Sequence, residues 1–252
     1  MQTQAAARVR TTIPEATRFG WVNLMALGGA ILLLAPVVPA IAGAFDPLFA
    51  ILLAPVLVGL VLIRFARKAG IIWLGVVSLV LLVMNAGFIP DALMHPESPA
   101  DFVPVSMLTA GGLIAVISTV PAFRSARGGE SGSRFPRIAA GAAVALVAAA
   151  VAGSLAARQM VTSDVPVSGS IVVTQENFAF GPGTIVAQSG EVNLYVTNRD
   201  SARHTFTVDE LGVDMSIAPG QSRLIKFDAE IGGYRFYCKP HEAGMDGDLI
   251  IQ

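Results

Sequence analysis

GGYRFYCKPHEAGMDGDLIIQ, running from Gly232 to Gln252, gathers the only cysteine, one of three histidines and a methionine into eight positions. Cys238, His241 and Met245 stand there as Cys-x-x-His-x-x-x-Met, closing an alternating stretch. Tyr234, Phe236 and Cys238 share one face of it, and Arg235, Tyr237 and Lys239 the other. A period of two is that of a strand. Such a strand delivers the sulfur to one end of a β-sandwich, and a turn through Lys239 and Pro240 folds His241 back toward it. Thiolate, imidazole and thioether are soft donors, which select copper(I), zinc or iron–sulfur over magnesium or calcium.

The methionine narrows the choice, because zinc sites are built from Cys, His and carboxylates. A His-His-Cys set with a long axial Met suits copper, so one more histidine is required. EVNLYVTNRDSARHTFTVD, Glu191 to Asp209, supplies it. Val192, Leu194 and Val196 alternate with polar residues, as do His204, Phe206 and Val208, so His204 points inward with the apolar face. Taken singly, each residue has an ordinary structural use: a core histidine, a small buried cysteine, a methionine packed beside a turn. Their joint spacing is what argues for a site.

Asn198, five intervening residues and His204, then Tyr237-Cys238, Pro240-His241, Met245 and Gly247, resemble the cupredoxin family, notably its plastocyanin, pseudoazurin and amicyanin members. The resemblance covers about the last ninety residues. It implies a Greek-key sandwich holding one type 1 copper ion through His204, Cys238, His241 and Met245. It also implies that Asn198 braces the ligand loop, that the amide of Thr205 donates to the Cys238 sulfur, and that one edge of His241 is the port for electrons. The sequence departs from the family in the spacing from His241 to Met245: three residues lie between them, against two in amicyanin and four in plastocyanin. Met245 is the ligand this departure touches.

The whole chain has 252 residues, 54% hydrophobic and 14% charged, with a mean hydropathy of +0.65. That is too apolar and charge-poor for an ordinary soluble domain and reads as a membrane protein. Five apolar runs each approach the roughly 20 residues that cross a bilayer: Phe19–Ala42, Leu48–Phe65, Ile71–Leu93, Val103–Phe123 and Ile138–Ala157. Arg8, Arg10 and Arg18 precede the first run, and Arg64, Arg67 and Lys68 follow the second. Arg124, Arg127, Arg134 and Arg137 separate the fourth from the fifth. The alternate loops carry Asp46 and then Asp91, His95, Glu97 and Asp101. Basic loops stay cytoplasmic, so five crossings put the carboxy-terminal region outside. The basic start and the small residues Ala40 and Ala42 mimic a cleaved signal peptide, but the first run is longer than a signal core, and an uncleaved helix is expected.

The predicted organisation is a cytoplasmic segment 1–18, a five-helix α-helical membrane domain 19–157, a linker 158–169 and an extracytoplasmic all-β domain 170–252. Strands are expected at Ser170–Asn177, Thr184–Gln188, Glu191–Asn198, His204–Asp209, Ser222–Phe227, Gly233–Cys238 and Gly247–Ile251, with glycine and proline breaks between them. Within the runs, Pro36, Pro39 and Pro55 predict kinks, and Asn85 a helix–helix hydrogen bond. Gly141, Ala145, Ala149 and Gly153 either form a close-packing face or reflect an alanine-rich composition. No acid, base or histidine lies well inside a run, which disfavours ion or proton transport. A quinone would need little more than an apolar cleft, and no residue argues for one. His95, in MHPESPAD, reads as part of a solvated outer loop before it reads as a copper entry point.

The function expected is single-electron transfer to redox partner proteins at the membrane or beyond it, without nucleic acid. The alternative is a copper-delivery protein whose metal is cargo, although such sites favour exposed Met and His clusters. A copper oxidase or nitrite reductase needs several more histidines, and a two-copper CuA centre needs a second cysteine.

Overall fold

The computed structural model describes residues 19–41, 47–128 and 133–252. The basic residues expected before the first helix (Arg8, Arg10, Arg18) and the loop residue Asp46 lie outside them. The amino-terminal part is helical: α1 (Trp21–Leu34), α2 (Val37–Ile41), α3 (Pro47–Leu52), α4 (Ala54–Phe65), α5 (Arg67–Met84), α6 (Phe88–Met94), α7 (Pro99–Ser125) and α8 (Phe135–Gln159).

Among the described residues four helical stretches are long and apolar enough to cross a membrane: Trp21–Ile41, Arg67–Met84, Pro99–Ser125 and Phe135–Gln159. The run Leu48–Phe65, expected as a single crossing, is instead divided between α3 and α4. The break at Leu53 precedes the Ala54-Pro55 start of α4, where proline sits in the first turn and its missing N–H costs nothing. The 12 residues of α4 are about 18 Å long, short of the roughly 30 Å hydrocarbon core. The third run also differs, since α5 begins at Arg67 and stops at Met84, with Asn85 as its C-cap.

Helix α7 is the centre of this part. Gly28 of α1 and Gly111 of α7 face each other so closely that a Cβ on Gly111 would stand 2.6 Å from the Gly28 carbonyl. Helix α4 folds back along α5, where the Trp73 indole N–H donates to the Pro55 carbonyl at 2.9 Å. The small-residue face proposed on the last helix is not a contact: Gly141, Ala145, Ala149 and Gly153 are exposed among the described residues. Asn85 donates to the Leu81 carbonyl of its own helix at 2.8 Å, so its bond is a local cap and not a link between helices.

Nine strands follow: β1 (Ile171–Glu176), β2 (Ala179–Gly181), β3 (Thr184–Ala187), β4 (Gly190–Asn198), β5 (His204–Val208), β6 (Val213–Ile217), β7 (Ser222–Ala229), β8 (Gly232–Tyr237) and β9 (Asp246–Ile251). They form two sheets, ordered β2-β1-β4-β7 and β3-β9-β8-β5-β6. Alternation places Val192, Leu194 and Val196 of β4 inside and faces them with Phe206, Phe236 and Leu249. Phe206 and Phe236 stack at 5.0 Å, and Phe180 meets Phe236 edge-on at 4.9 Å. Two strands, β2 and β6, were not expected.

The segment after α8 is laid against the sandwich. The Asp164 amide donates to the Ser222 carbonyl at 2.9 Å, and the Gln221 side chain donates to the Thr162 carbonyl at 2.9 Å. Arg203, 6% exposed, pairs with Asp91 of α6, and its backbone N–H donates to Asp101 of α7 at 3.0 Å. Ser154 of α8 donates to the Pro96 carbonyl at 2.6 Å. One end of the sandwich is thereby seated on the helix ends.

Candidate metal centre

Three segments meet at that seated end. His204 opens β5, the loop from Cys238 to Met245 joins β8 to β9, and Asn177-Phe178 turns between β1 and β2. The ligand loop is closed by its own backbone: the Cys238 amide donates to the Met245 carbonyl at 2.9 Å, and the Met245 amide to the His241 carbonyl at 3.0 Å. Gly247, just beyond, has no alternative, because a Cβ there would lie 2.3 Å from the Gly183 carbonyl.

The donor atoms converge. His204 Nδ1 and His241 Nδ1 are 3.2 Å apart, and each is 3.5 Å from the Cys238 sulfur. A triangle with sides of 3.2, 3.5 and 3.5 Å has a circumradius of about 2.0 Å, within the range of metal–imidazole bonds and slightly short of a metal–thiolate bond. The residues therefore fit one soft metal ion. His204, Cys238 and Met245 are fully buried, and His241 is half-buried. Met245 packs in the same apolar cluster as Cys238.

The surroundings suit ligation. Burial pushes the Cys238 thiol up, opposed by the Thr205 amide, which donates to the sulfur at 3.3 Å. The Lys239 amide in turn donates to Thr205 Oγ1 at 2.8 Å, tying the ligand loop to β5. Burial pushes the His204 imidazole down, opposed by its hydrogen bond to Asp200. Burial, aided by the neighbouring His204, takes His241 down to about 4. Both rings are thus held neutral near pH 7, the form in which imidazole binds metal.

Of the residues singled out in the sequence, His204, Cys238, His241 and Met245 come together in one place. Thr205 stands where the resemblance implied. Asn198 is displaced in role: its side chain donates to the Ala202 and Ile217 carbonyls at 2.9 and 3.0 Å and accepts from the Asp200 amide at 2.8 Å. It braces the loop leading to His204, not the loop carrying Cys238. His95 lies away among carboxylates, with Nδ1 2.8 Å from Glu97.

Two contributors were missed. Asp200 accepts from His204 Nε2 at 2.8 Å and from the amides of Asn177 and Phe178 at 2.7 and 2.9 Å. Burial works against its charge, yet the Phe178 and Asn177 amides and His204 hold its carboxyl below the usual range. The Phe178 ring meets His204 edge-on at 5.5 Å and His241 at 4.8 Å. An acid four residues before the inward histidine was a visible signal for Asp200. The edge of His241 expected as an electron port also differs in setting, since it borders a cavity under the helix ends.

A two-sheet sandwich with a Cys-His-His cluster at one end, able to hold a metal ion and joined to apolar helices, defines the class: a β-sandwich domain with a candidate metal site, carried on a helical part. The Cupredoxin-like domain family matches residues 141–251. Plastocyanin of Rumex obtusifolius is 34% identical over 88 residues, 29% of this chain and 88% of that protein. Chloroplastic plastocyanin of Pisum sativum is 28% identical over 135 residues, 48% of this chain and 80% of that protein. Among solved structures, a reduced amicyanin variant is 19% identical, covering 34% of this chain and 85% of its own, with a TM-score of 0.30. The copper-containing nitrite reductase of Thermus scotoductus SA-01 is 18% identical and covers 36% of this chain and 24% of its own, with a TM-score of 0.29. The chain belongs to the cupredoxin-like family, whose members bind copper and carry electrons.

Proposed function

We propose that this protein is a membrane-anchored blue copper protein that carries single electrons on the extracytoplasmic face and is not itself an oxidase or reductase. His204, Cys238, His241 and Met245 hold one copper ion in this reading. The observation that carries it is the triangle of the two Nδ1 atoms and the Cys238 sulfur, with the Thr205 amide on that sulfur. Bound copper supplies one-electron chemistry by alternating between its two oxidation states.

The protein's part is to keep the donors still. Asp200 holds the outer nitrogen of His204, so Nδ1 is presented inward. The closed backbone of the ligand loop and the bond from Lys239 to Thr205 fix Cys238 and His241 against β5. Because these contacts belong to the fold and not to the ion, the same arrangement serves both oxidation states, and little rearrangement accompanies electron transfer. Full burial of three donors keeps water from adding to the site.

The direction of the helices supports the topology. The ends of α2, α5 and α8 and the start of α7 all lie at the sandwich. The return path between α1 and α5 is therefore taken by α3 and α4 together, a fifth crossing in two pieces. Arg64, Arg67, Lys68, Arg124, Arg127, Arg134 and Arg137 then collect at the opposite end. With that basic end cytoplasmic, the sandwich is outside. On this reading 1–18 is cytoplasmic, 19–157 is the membrane domain, 158–169 the linker and 170–252 the copper domain.

The test is reconstitution of the full chain with copper. An intense blue or green absorption that bleaches and returns with reductant and oxidant is expected, and His204→Ala and Cys238→Ser should each abolish it. Retention of the colour in either variant would remove the ligand assignment. Colourless copper(I) that a chelator strips readily would make the metal cargo.

A further inference from the structure

Between the helix ends and the metal centre lies a cavity of about 320 Å³, within the range of small-ligand pockets. Phe88 of α6 and Val105 and Leu108 of α7 wall it on one side, and Phe178 and His241 on the other. His241 turns Nδ1 toward the thiolate, so the ring meets the cavity with its other edge. Two polar groups reach the same space. Asn85 donates to the Leu81 carbonyl through Nδ2, which leaves its side-chain oxygen as an acceptor. Asp101 receives Ser98 Oγ and the Arg203 amide on Oδ2 and presents a carboxylate.

We propose that this cavity binds a quinol and passes its electrons through His241 to the metal centre. The proposal rests on the copper-carrier reading above. An apolar, aromatic wall with hydrogen-bond acceptors suits a flat ring bearing hydroxyl groups, and a site framed by helices of membrane-spanning length is open to a lipid-soluble molecule. A polar metabolite would leave the aromatic and aliphatic walls without a match. The adjacent metal ligand makes the occupant a redox partner and not filler.

The electrons balance in two turns. The first leaves the quinol ring for copper(II), giving copper(I), and a hydroxyl proton is released toward Asp101 and solvent. A one-electron acceptor protein then reoxidises the copper. The second electron and proton follow by the same route, leaving quinone. In total one quinol and two oxidised acceptors give one quinone, two reduced acceptors and two protons.

The test uses the copper-loaded full chain in detergent, with a decyl-substituted benzoquinol as reductant and bleaching of the copper(II) absorption as readout. The rate is expected to saturate with quinol. Val105→Phe, which fills the cavity, should slow it by about tenfold, while the rate with ascorbate and the spectrum stay as in the parent. A rate that never saturates and ignores Val105→Phe would overturn the proposal. Photolabelling of the parent protein with an azidoquinone gives a second readout that needs neither the variant nor the chromophore. Label is expected between Asn85 and Leu108, displaced by decyl benzoquinone but not by phospholipid. Label elsewhere, or displaced by phospholipid, would overturn the quinol site. Label in place on a protein that never develops the copper colour would instead defeat the copper reading.

Discussion

Asp200 Oδ2 stands 2.8 Å from Nε2 of His204, on the side of the ring opposite the metal donors. The same carboxylate receives two amides from the Asn177-Phe178 turn, both residues of which have positive φ, 56° and 58°. One side chain therefore sets the orientation of a ligand and the place of the phenyl ring packed against both imidazoles.

Replacing Asp200 by Asn keeps the shape but removes the charge behind His204. Carboxylate partners of metal-bound histidines typically account for 10- to 100-fold in metal affinity, and a loss of about tenfold is expected here. The reduction potential should rise, because one negative charge fewer near the ion favours the reduced, less positive state. A competition titration and a redox titration check the two effects. An unchanged potential would show that Asp200 serves the turn alone.

Asn198 makes three hydrogen bonds, two inside the loop that ends at His204 and one to the Ile217 carbonyl of β6. Asn198→Ala leaves two carbonyls and an amide without partners, at about 2 kcal/mol or more. In a domain of this size that corresponds to roughly 10 °C in the melting of the copper absorption. The spectrum before melting should stay close to that of the parent, since Asn198 touches no donor.

The sandwich and the four candidate ligands were legible because their signals are local. Alternation along Val192–Val196 and His204–Val208 marks strands, and Cys238, His241 and Met245 sit within one loop. Strand β6 carries the same signal in Val213, Met215 and Ile217 but follows the Asp209–Leu211 turn so closely that the alternation does not stand apart from it. Strand β2 has three residues, too few for a period to register. The break between α3 and α4 is hidden by uninterrupted apolar residues, and Pro55 marks it only as a bend. The pairing of Arg203 with Asp91 joins residues 112 positions apart, and nothing in either neighbourhood announces the other. The sequence motif names Asn198 but not the Ala202 and Ile217 carbonyls it meets, because those contacts are set by the fold.

The Arg203–Asp91 pair is a charged link between the helices and the metal end of the sandwich. Arg203 is 6% exposed and Asp91 46%, so the pair is only half shielded and its strength is moderate. Asp91→Asn should loosen the seating by about 1–2 kcal/mol. Faster hydrogen exchange is expected at the Arg203 amide and in α6, with the copper spectrum unchanged. If exchange stayed as in the parent, Asp101 and the linker contacts would be sufficient to hold the domain.

Close packing in the helical part falls on glycines of different helices. A Cβ at Gly111 would stand 2.6 Å from the Gly28 carbonyl, and one at Gly28 would stand 2.7 Å from the Gly111 carbonyl, so neither can be relieved by a side-chain rotation. Gly111→Ala must push α1 from α7 and should cost about 1–3 kcal/mol in detergent unfolding of the full chain. A Cβ at Gly141 would meet nothing within 4 Å among the described residues, so Gly141→Ala, which only gains helix propensity, should not destabilise the chain. The contrast separates packing within one chain from packing between copies. Were Gly141→Ala the more damaging change, the exposed small residues of α8 would have to be covered by another molecule, and the contact between α1 and α7 would not be what limits stability.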